Sequence, residues 1–74
     1  MKKAKFETIE KLRELRTQNH YTYQYMSDLL DISKTFYWQI ENQKRNLSYA
    51  MAYEIAKIFA MKPDEIFFET FNKK

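Results

Sequence analysis

The absence of glycine is the feature that most constrains how this chain can fold. None of its 74 residues is glycine, whereas an average share of about 7% would give roughly five. Either the genome avoids GC-rich codons, or every turn is made without a residue that freely adopts positive φ. No Asn-Gly or Asp-Gly hairpin signal exists, and no stretch alternates apolar and polar residues over the length of a strand. A β fold is therefore not expected.

Helical spacing of apolar residues, by contrast, recurs in five segments. The first segment follows Phe6, Ile9, Leu12 and Leu15 and is expected to end at Asn19-His20. The other four are expected to begin at N-caps or at a first-turn proline, namely Thr22, Ser33, Ser48 and Pro63. The pattern predicts an all-α fold of five helices.

The same spacing predicts which residues face the core. The second helix is expected to bury Met26, Leu29 and Leu30, and the third Tyr37 and Ile40. The fourth is expected to bury Tyr49, Ala52, Tyr53, Ala56 and Phe59, with Ile55 beside them. At this spacing the tyrosines are interpreted as core residues and not as a platform for stacking bases.

Composition excludes several classes of function. The chain has no cysteine and one histidine, so neither a thiolate zinc site nor a histidine-rich metal site is expected. No apolar run is long enough for a membrane span, and no signal core follows the first lysines, so a cytoplasmic protein is expected. No carboxylate pair, Ser-His arrangement or glycine loop supports an enzyme, a cofactor or a small-molecule ligand. The length predicts one domain over residues 1–74.

Two of the predicted helices form a recognisable pair. The second and third helices are short, and about three residues from Asp31 separate them. Helices of this length are not stable alone, but they form a helix-turn-helix when flanking helices hold them at roughly 90 to 120°. Ser27 is small where the two helices must approach closely. The pair therefore predicts a helix that can enter a major groove.

Several spaced segments around this pair resemble the Cro/repressor-type helix-turn-helix regulators, the Xre family. They are Leu12–Arg16, Tyr23–Arg45, Ile55–Lys57 and Asp64–Phe67. The resemblance implies a compact five-helix, lambda-repressor-like domain, with the motif at about 23–42 and a tail at 68–74. It further implies a homodimer on a two-fold double-stranded DNA operator, in a bacterial phage, prophage or mobile element.

The family's base-reading positions fall on Lys34, Thr35, Trp38 and Gln39. Lys can donate to guanine, Gln pairs bidentately with adenine, and a Thr methyl can contact a thymine methyl. Trp38 stands where the family often has Ser, and it is expected to contact a base methyl or the sugar-phosphate wall. The alternative for Trp38 is packing within the domain or at a dimer seam.

Phosphate contacts are expected from Lys44, Arg45 and the backbone amides of Asn42 to Asn46, the family's loop after the recognition helix. Tyr23 takes a place where the family commonly has Gln touching phosphate, and its hydroxyl or the neighbouring Gln24 could substitute. Without the resemblance, this loop would read as an ordinary solvated segment.

The resemblance also implies structural roles. Arg16 and Glu41 match positions that form an ion pair between the first helix and the end of the third. The rings of Phe67, Phe68 and Phe71 are too many for one terminal helix to hide, so a symmetric dimer interface is expected, with closure of the monomer core as the rival. Positions where the family commonly has glycine are occupied here by His20, Asp31 and Gln43, with Ala60 at a fourth. Replacing Asp31 or Gln43 by glycine should stabilise the protein if φ is positive there, and destabilise it if φ is not.

Two classes of function remain open at this point. The first is a sequence-specific transcriptional regulator, with a repressor expected. The second is a helical protein-interaction module, antitoxin-like or an adaptor, that keeps the fold. Trp38 and the modest net charge of +3 favour the second, whereas the cationic loop after the third helix favours the first.

Overall fold

A computed structural model describes residues 9–72, excluding the side chains of Glu69, Phe71 and Asn72. It contains five helices and, within the described residues, no strand. The helices are α1 (Glu10–Gln18), α2 (Tyr23–Leu30), α3 (Lys34–Glu41), α4 (Tyr49–Ile58) and α5 (Pro63–Asn72). The all-α, five-helix prediction is confirmed. Phe6, at the start of the predicted first helix, lies outside the described residues.

Hydroxyl side chains fix the starts of the three middle helices. Thr22 accepts a hydrogen bond from the backbone N–H of Tyr25 at 3.0 Å. Ser33 and Ser48 make the same bond three residues ahead, at 3.0 and 3.1 Å. Each bond satisfies one of the orphan N–H groups at a helix start. These three predicted N-caps are confirmed.

The ends of the first four helices share one backbone geometry. One residue at each of these four helix ends has a positive φ. These residues are His20 (61°), Asp31 (60°), Gln43 (57°) and Ala60 (57°). Each donates its N–H to the carbonyl three residues back, and its successor donates to the carbonyl five residues back, at 2.7 to 3.3 Å. This is the Schellman pattern, which usually has glycine at the positive φ. The turns therefore do use positive φ, and residues with side chains adopt it.

The core draws on every helix. It consists of Ile9, Leu12, Met26, Tyr37, Ile40, Ala52, Ile55, Ala56, Ile66 and Phe67. Ser27, whose small side chain is expected where α2 and α3 approach closely, is fully buried. Small residues on the inner face of α4 leave room for its neighbours.

Three residues predicted to be buried are exposed. Leu29, Tyr49 and Tyr53 expose 49%, 57% and 50% of their surface, so their assignment to the core was wrong. The inner face of α4 is centred on Ala52 and Ile55, and Tyr53 lies about 100° further around the helix than Ala52. Helical spacing predicted a face for α4 but placed that face too far toward the tyrosines.

The terminal aromatic residues divide between core and surface. Phe67 is fully buried and the backbone of α5 departs from helical angles at this residue. The prediction that Phe67 forms a dimer interface is therefore wrong, because the ring closes the core of the monomer, as in the rival interpretation. Phe68 is 58% exposed. The side chain of Phe71 lies outside the described part of the chain.

Candidate nucleic-acid interface

The α2–α3 pair presents one face of α3 to solvent. Tyr37 and Ile40 are buried on its inner face, as predicted. Lys34, Thr35 and Trp38 are exposed and Gln39 is half-buried, so the four predicted base-reading residues share the outer face. Trp38 exposes 40% of its surface. The indole is therefore accessible and is not a core residue.

A buried ion pair holds the end of α3 against α1. Arg16 Nε and Nη2 donate to the two carboxylate oxygens of Glu41 at 2.8 and 2.9 Å. The Glu41 side chain is fully buried, and the Arg16 side chain is 10% exposed. The hydrogen bond to Glu41 raises the pKa of the Arg16 guanidinium above its usual value, against the cost of burial. The structure thus contains the ion pair that the resemblance implied.

Three tyrosines complete this buried network, two through their side chains and one through its backbone carbonyl. The Tyr37 hydroxyl donates to Glu41 Oε1 at 2.7 Å. Burial raises the pKa of Tyr37, and the nearby Glu41 carboxylate raises it further. The Arg16 guanidinium lies 4.3 Å from the centroid of the Tyr23 ring, and its Nη1 donates to the Tyr21 carbonyl oxygen at 2.9 Å. Each nitrogen of this buried guanidinium therefore donates to an acceptor, and one face of the group meets an aromatic ring.

The two residues of α2 that are expected to contact phosphate both interact with neighbouring side chains. The half-buried Tyr23 ring packs under Arg16 and lies 6.1 Å from the Tyr37 ring. Gln24 is exposed, and its amide nitrogen donates to Asp28 Oδ1 at 2.8 Å. Tyr23 therefore has a packing role that the sequence did not indicate, and phosphate contact by either residue stays a prediction.

The loop after α3 carries the exposed side chains of Lys44 and Arg45. Its first backbone N–H groups are already used: Asn42, Gln43 and Lys44 donate to carbonyls at the end of α3 at 2.7 to 3.1 Å. The side-chain amide of Asn42 also donates to the Trp38 carbonyl oxygen. The expectation that these three amides bind phosphate was therefore wrong, because they close the helix end. Phosphate contact by the side chains of this loop, and by the backbone amides of Arg45 and Asn46, stays a prediction.

The described part of the chain contains neither a metal-ligand cluster nor a membrane-spanning helix. Among residues 9–72, no group of three or more His, Cys, Asp or Glu side chains could hold a metal ion. In the same range, no helix is long and apolar enough to cross a membrane.

Comparison with known families agrees with this geometry. The family model described as a helix-turn-helix domain matches residues 9–68, which is most of the chain. The protein therefore belongs to the helix-turn-helix domain family, and the outer face of α3 is the expected DNA-contacting surface of that class. A search of curated proteins finds no match. The narrower resemblance to Xre regulators stays a prediction.

Proposed function

We propose that the protein is a cytoplasmic, sequence-specific repressor that binds double-stranded DNA as a homodimer and serves a phage, prophage or mobile element. The observation that carries the proposal is the outer face of α3. Its polar and aromatic side chains are accessible, while Glu41 at the end of the same helix is locked to Arg16. Reading bases requires donors and methyl groups on a rigidly oriented helix.

In this proposal α3 lies in the major groove. Lys34, at the start of the helix, donates to guanine, and the Thr35 methyl contacts a thymine methyl. Trp38, further along the same face, contacts a thymine methyl or the sugar-phosphate wall. Lys44 and Arg45 neutralise phosphates, which fixes the orientation of the domain on the duplex.

A homodimer would place two such helices on one face of DNA. The exposed ring of Phe68 supports a symmetric contact through α5, to which Phe71 is proposed to contribute. Half-sites would then lie about 34 Å apart, one turn of the double helix. Light scattering over micromolar concentrations, with and without operator, checks this part of the proposal, and a strict monomer in both conditions contradicts it.

Selection of binders from random double-stranded DNA at one stated salt concentration tests the main proposal. We expect a two-fold symmetric consensus. A flat sequence profile would contradict it. Lys44→Gln should then reduce the slope of log affinity against log salt by about 0.9. The matched control is Lys57→Gln on α4, which pairs with Glu54 at 3.6 Å and should leave the slope unchanged.

Trp38 offers a second test because it is the only tryptophan. If its exposed indole enters the groove, titration with the selected operator should change its fluorescence strongly. A spectrum that stays the same at saturating operator would remove Trp38 from the interface.

A protein-interaction module is the second candidate function. Three large aromatic residues expose half or more of their surface, namely Tyr49 (57%), Tyr53 (50%) and Phe68 (58%). Such residues are enriched in protein interfaces. Competition by nonspecific DNA at low salt separates the two candidates, because a module that ignores DNA under these conditions is not a repressor.

A further inference from the structure

Arg45, in the loop after α3, folds back onto the recognition helix. Its guanidinium carbon lies 4.2 Å from the centroid of the Phe36 ring. Its Nε donates to Gln39 Oε1 at 3.0 Å. The guanidinium is thus held at one face by an aromatic ring and at one edge by an amide. A residue expected to contact only phosphate is built into the surface that reads bases.

This contact fixes the orientation of the Gln39 side chain. A guanidinium carries donors and no acceptor, so the Gln39 atom that faces it must be the carbonyl oxygen. The amide NH₂ group of Gln39 consequently points away from Arg45. Within residues 9–72, no hydrogen bond uses that nitrogen. Together the two side chains present N–H donors and a positive charge.

We propose that Arg45 is a positioning residue that makes Gln39 read guanine instead of adenine, an inference that rests on the proposed function. Adenine offers one acceptor, N7, and one donor, its N6 amino group, whereas guanine offers the acceptors N7 and O6. The guanidinium beside Gln39 Oε1 competes with the adenine amino group for that oxygen. Its positive charge also repels the partly positive hydrogens of the amino group. It attracts both acceptors of guanine.

The sequence alone predicted adenine because an isolated Gln can donate and accept. Arg45 restricts that freedom, because it occupies one of the two lone pairs of the Gln39 carbonyl oxygen and places a positive charge beside the other. Arg45, six residues after Gln39 in the chain, therefore determines which base Gln39 selects. The exposed Lys44, its neighbour, is expected to act on phosphate.

Selection from random DNA, repeated with variants at one salt concentration, tests this inference. Gln39→Ala identifies the base pair that Gln39 reads, because the preference there should disappear. Wild-type protein should prefer guanine at that pair by about tenfold, within the range of one bidentate contact. Arg45→Met should abolish this preference or shift it to adenine, while preferences at other pairs remain. Lys44→Gln should weaken binding to all sequences and keep the guanine preference.

Arg45→Lys distinguishes positioning from charge. Lys keeps the charge for a phosphate but lacks the planar N–H edge that faces Gln39, so affinity should be retained and the guanine preference lost. Retention of the guanine preference in Arg45→Met, or a wild-type preference for adenine at this pair, overturns the inference and leaves the proposed function intact. A flat wild-type profile overturns the proposed function and this inference with it. Thermal melting of each variant checks that its fold is intact.

Discussion

Two regions of this domain, the end of α3 (the polar end) and the α4–α5 region (the apolar end), are held by different kinds of interaction. The end of α3 is fixed by directional polar bonds, since the buried Glu41 accepts two hydrogen bonds from Arg16 and one from Tyr37. The α4–α5 region is fixed by apolar packing of residues such as Ile55 and Phe67, both fully buried. A network of charged hydrogen bonds sets an angle, whereas apolar packing mainly excludes water. The directional bonds lie where the orientation of the recognition helix matters.

The largest loss of stability is expected when one charge is removed from the buried polar network. Glu41→Gln keeps the size of the side chain but leaves the Arg16 guanidinium buried without its counter-charge. We expect a loss of about 3 to 5 kcal/mol in the free energy of unfolding, measured by urea denaturation. Glu10→Gln is the control, because its ion pair with Arg13 is exposed and should contribute under about 1 kcal/mol. Equal losses in the two variants would contradict this account of α3.

Alkaline pH should weaken the polar end selectively. Folding raises the pKa of Tyr37 above its ordinary 10.0, so above that pH the unfolded chain loses a proton that the folded protein keeps. The contribution is complete below pH 10.0 and decreases above it, by about 1.4 kcal/mol per pH unit. Unfolding measured from pH 8 to 11 should show a shallower decline in Tyr37→Phe. Parallel declines in the variant and the wild type would exclude Tyr37 as the cause.

The apolar end should tolerate a comparable change better. Phe67→Leu removes part of a buried ring but leaves no unpaired polar group, so we expect a loss of about 1 to 2 kcal/mol. Phe68→Leu, at the exposed neighbour, should change the free energy of unfolding by under about 0.5 kcal/mol. If Phe67→Leu destabilised as much as Glu41→Gln, the contrast between the two ends would disappear.

The smallest changes in stability are expected at the helix ends. There the polar and the apolar region use the same turn, with one residue at positive φ. Ala60→Gly should stabilise by up to about 1 kcal/mol, because glycine adopts the observed φ of 57° without steric cost. Ala50→Gly, the same change in the first turn of α4, should destabilise by up to about 0.5 kcal/mol, the lower end of the cost inside a helix. Thermal melting compares the two. A loss of stability at both positions would contradict the left-handed geometry.

Asp31→Gly and Gln43→Gly extend this series to the two ends of the α2–α3 pair. Both residues have positive φ. Asp visits this region at lower cost than other residues with side chains, so the gain at Asp31 should be smaller than the gain at Gln43. The reverse order, measured by thermal melting, would show that interactions of the Gln43 side chain offset its backbone cost.

Local chemistry made much of the fold predictable. Each of the caps Thr22, Ser33 and Ser48 accepts a hydrogen bond from the N–H group three residues ahead. The residues that decide each helix start therefore lie within one helical turn of each other in the sequence. The positive-φ positions came instead from the family resemblance, because this chain holds other residues where the family commonly has glycine, and those positions lie at helix ends. The Arg16–Glu41 pair came from the family resemblance, since nothing local joins residues 25 apart.

The errors and omissions concern how whole side chains fit together. Spacing gave α4 an apolar face but could not weigh small residues against large ones, and the helix turned Ala52 inward and Tyr53 outward. The contacts of Arg45 with Phe36 and Gln39 link a loop to a helix. They depend on the path of the chain after Gln43, which no periodicity encodes. Such contacts decide the chemistry of the surface even where the fold is known.

The left-handed residue at Asp31 has a consequence for the autonomy of the helix-turn-helix. For a residue other than glycine this conformation costs free energy, although less for Asp than for most, so the local sequence does not favour the bend between α2 and α3. A synthetic peptide spanning only residues 22–43 would have little reason to keep the angle, and its two short helices would be marginal in water. The recognition unit is therefore not portable: transplanted without α1, α4 and α5, it would lose the shape by which DNA is read.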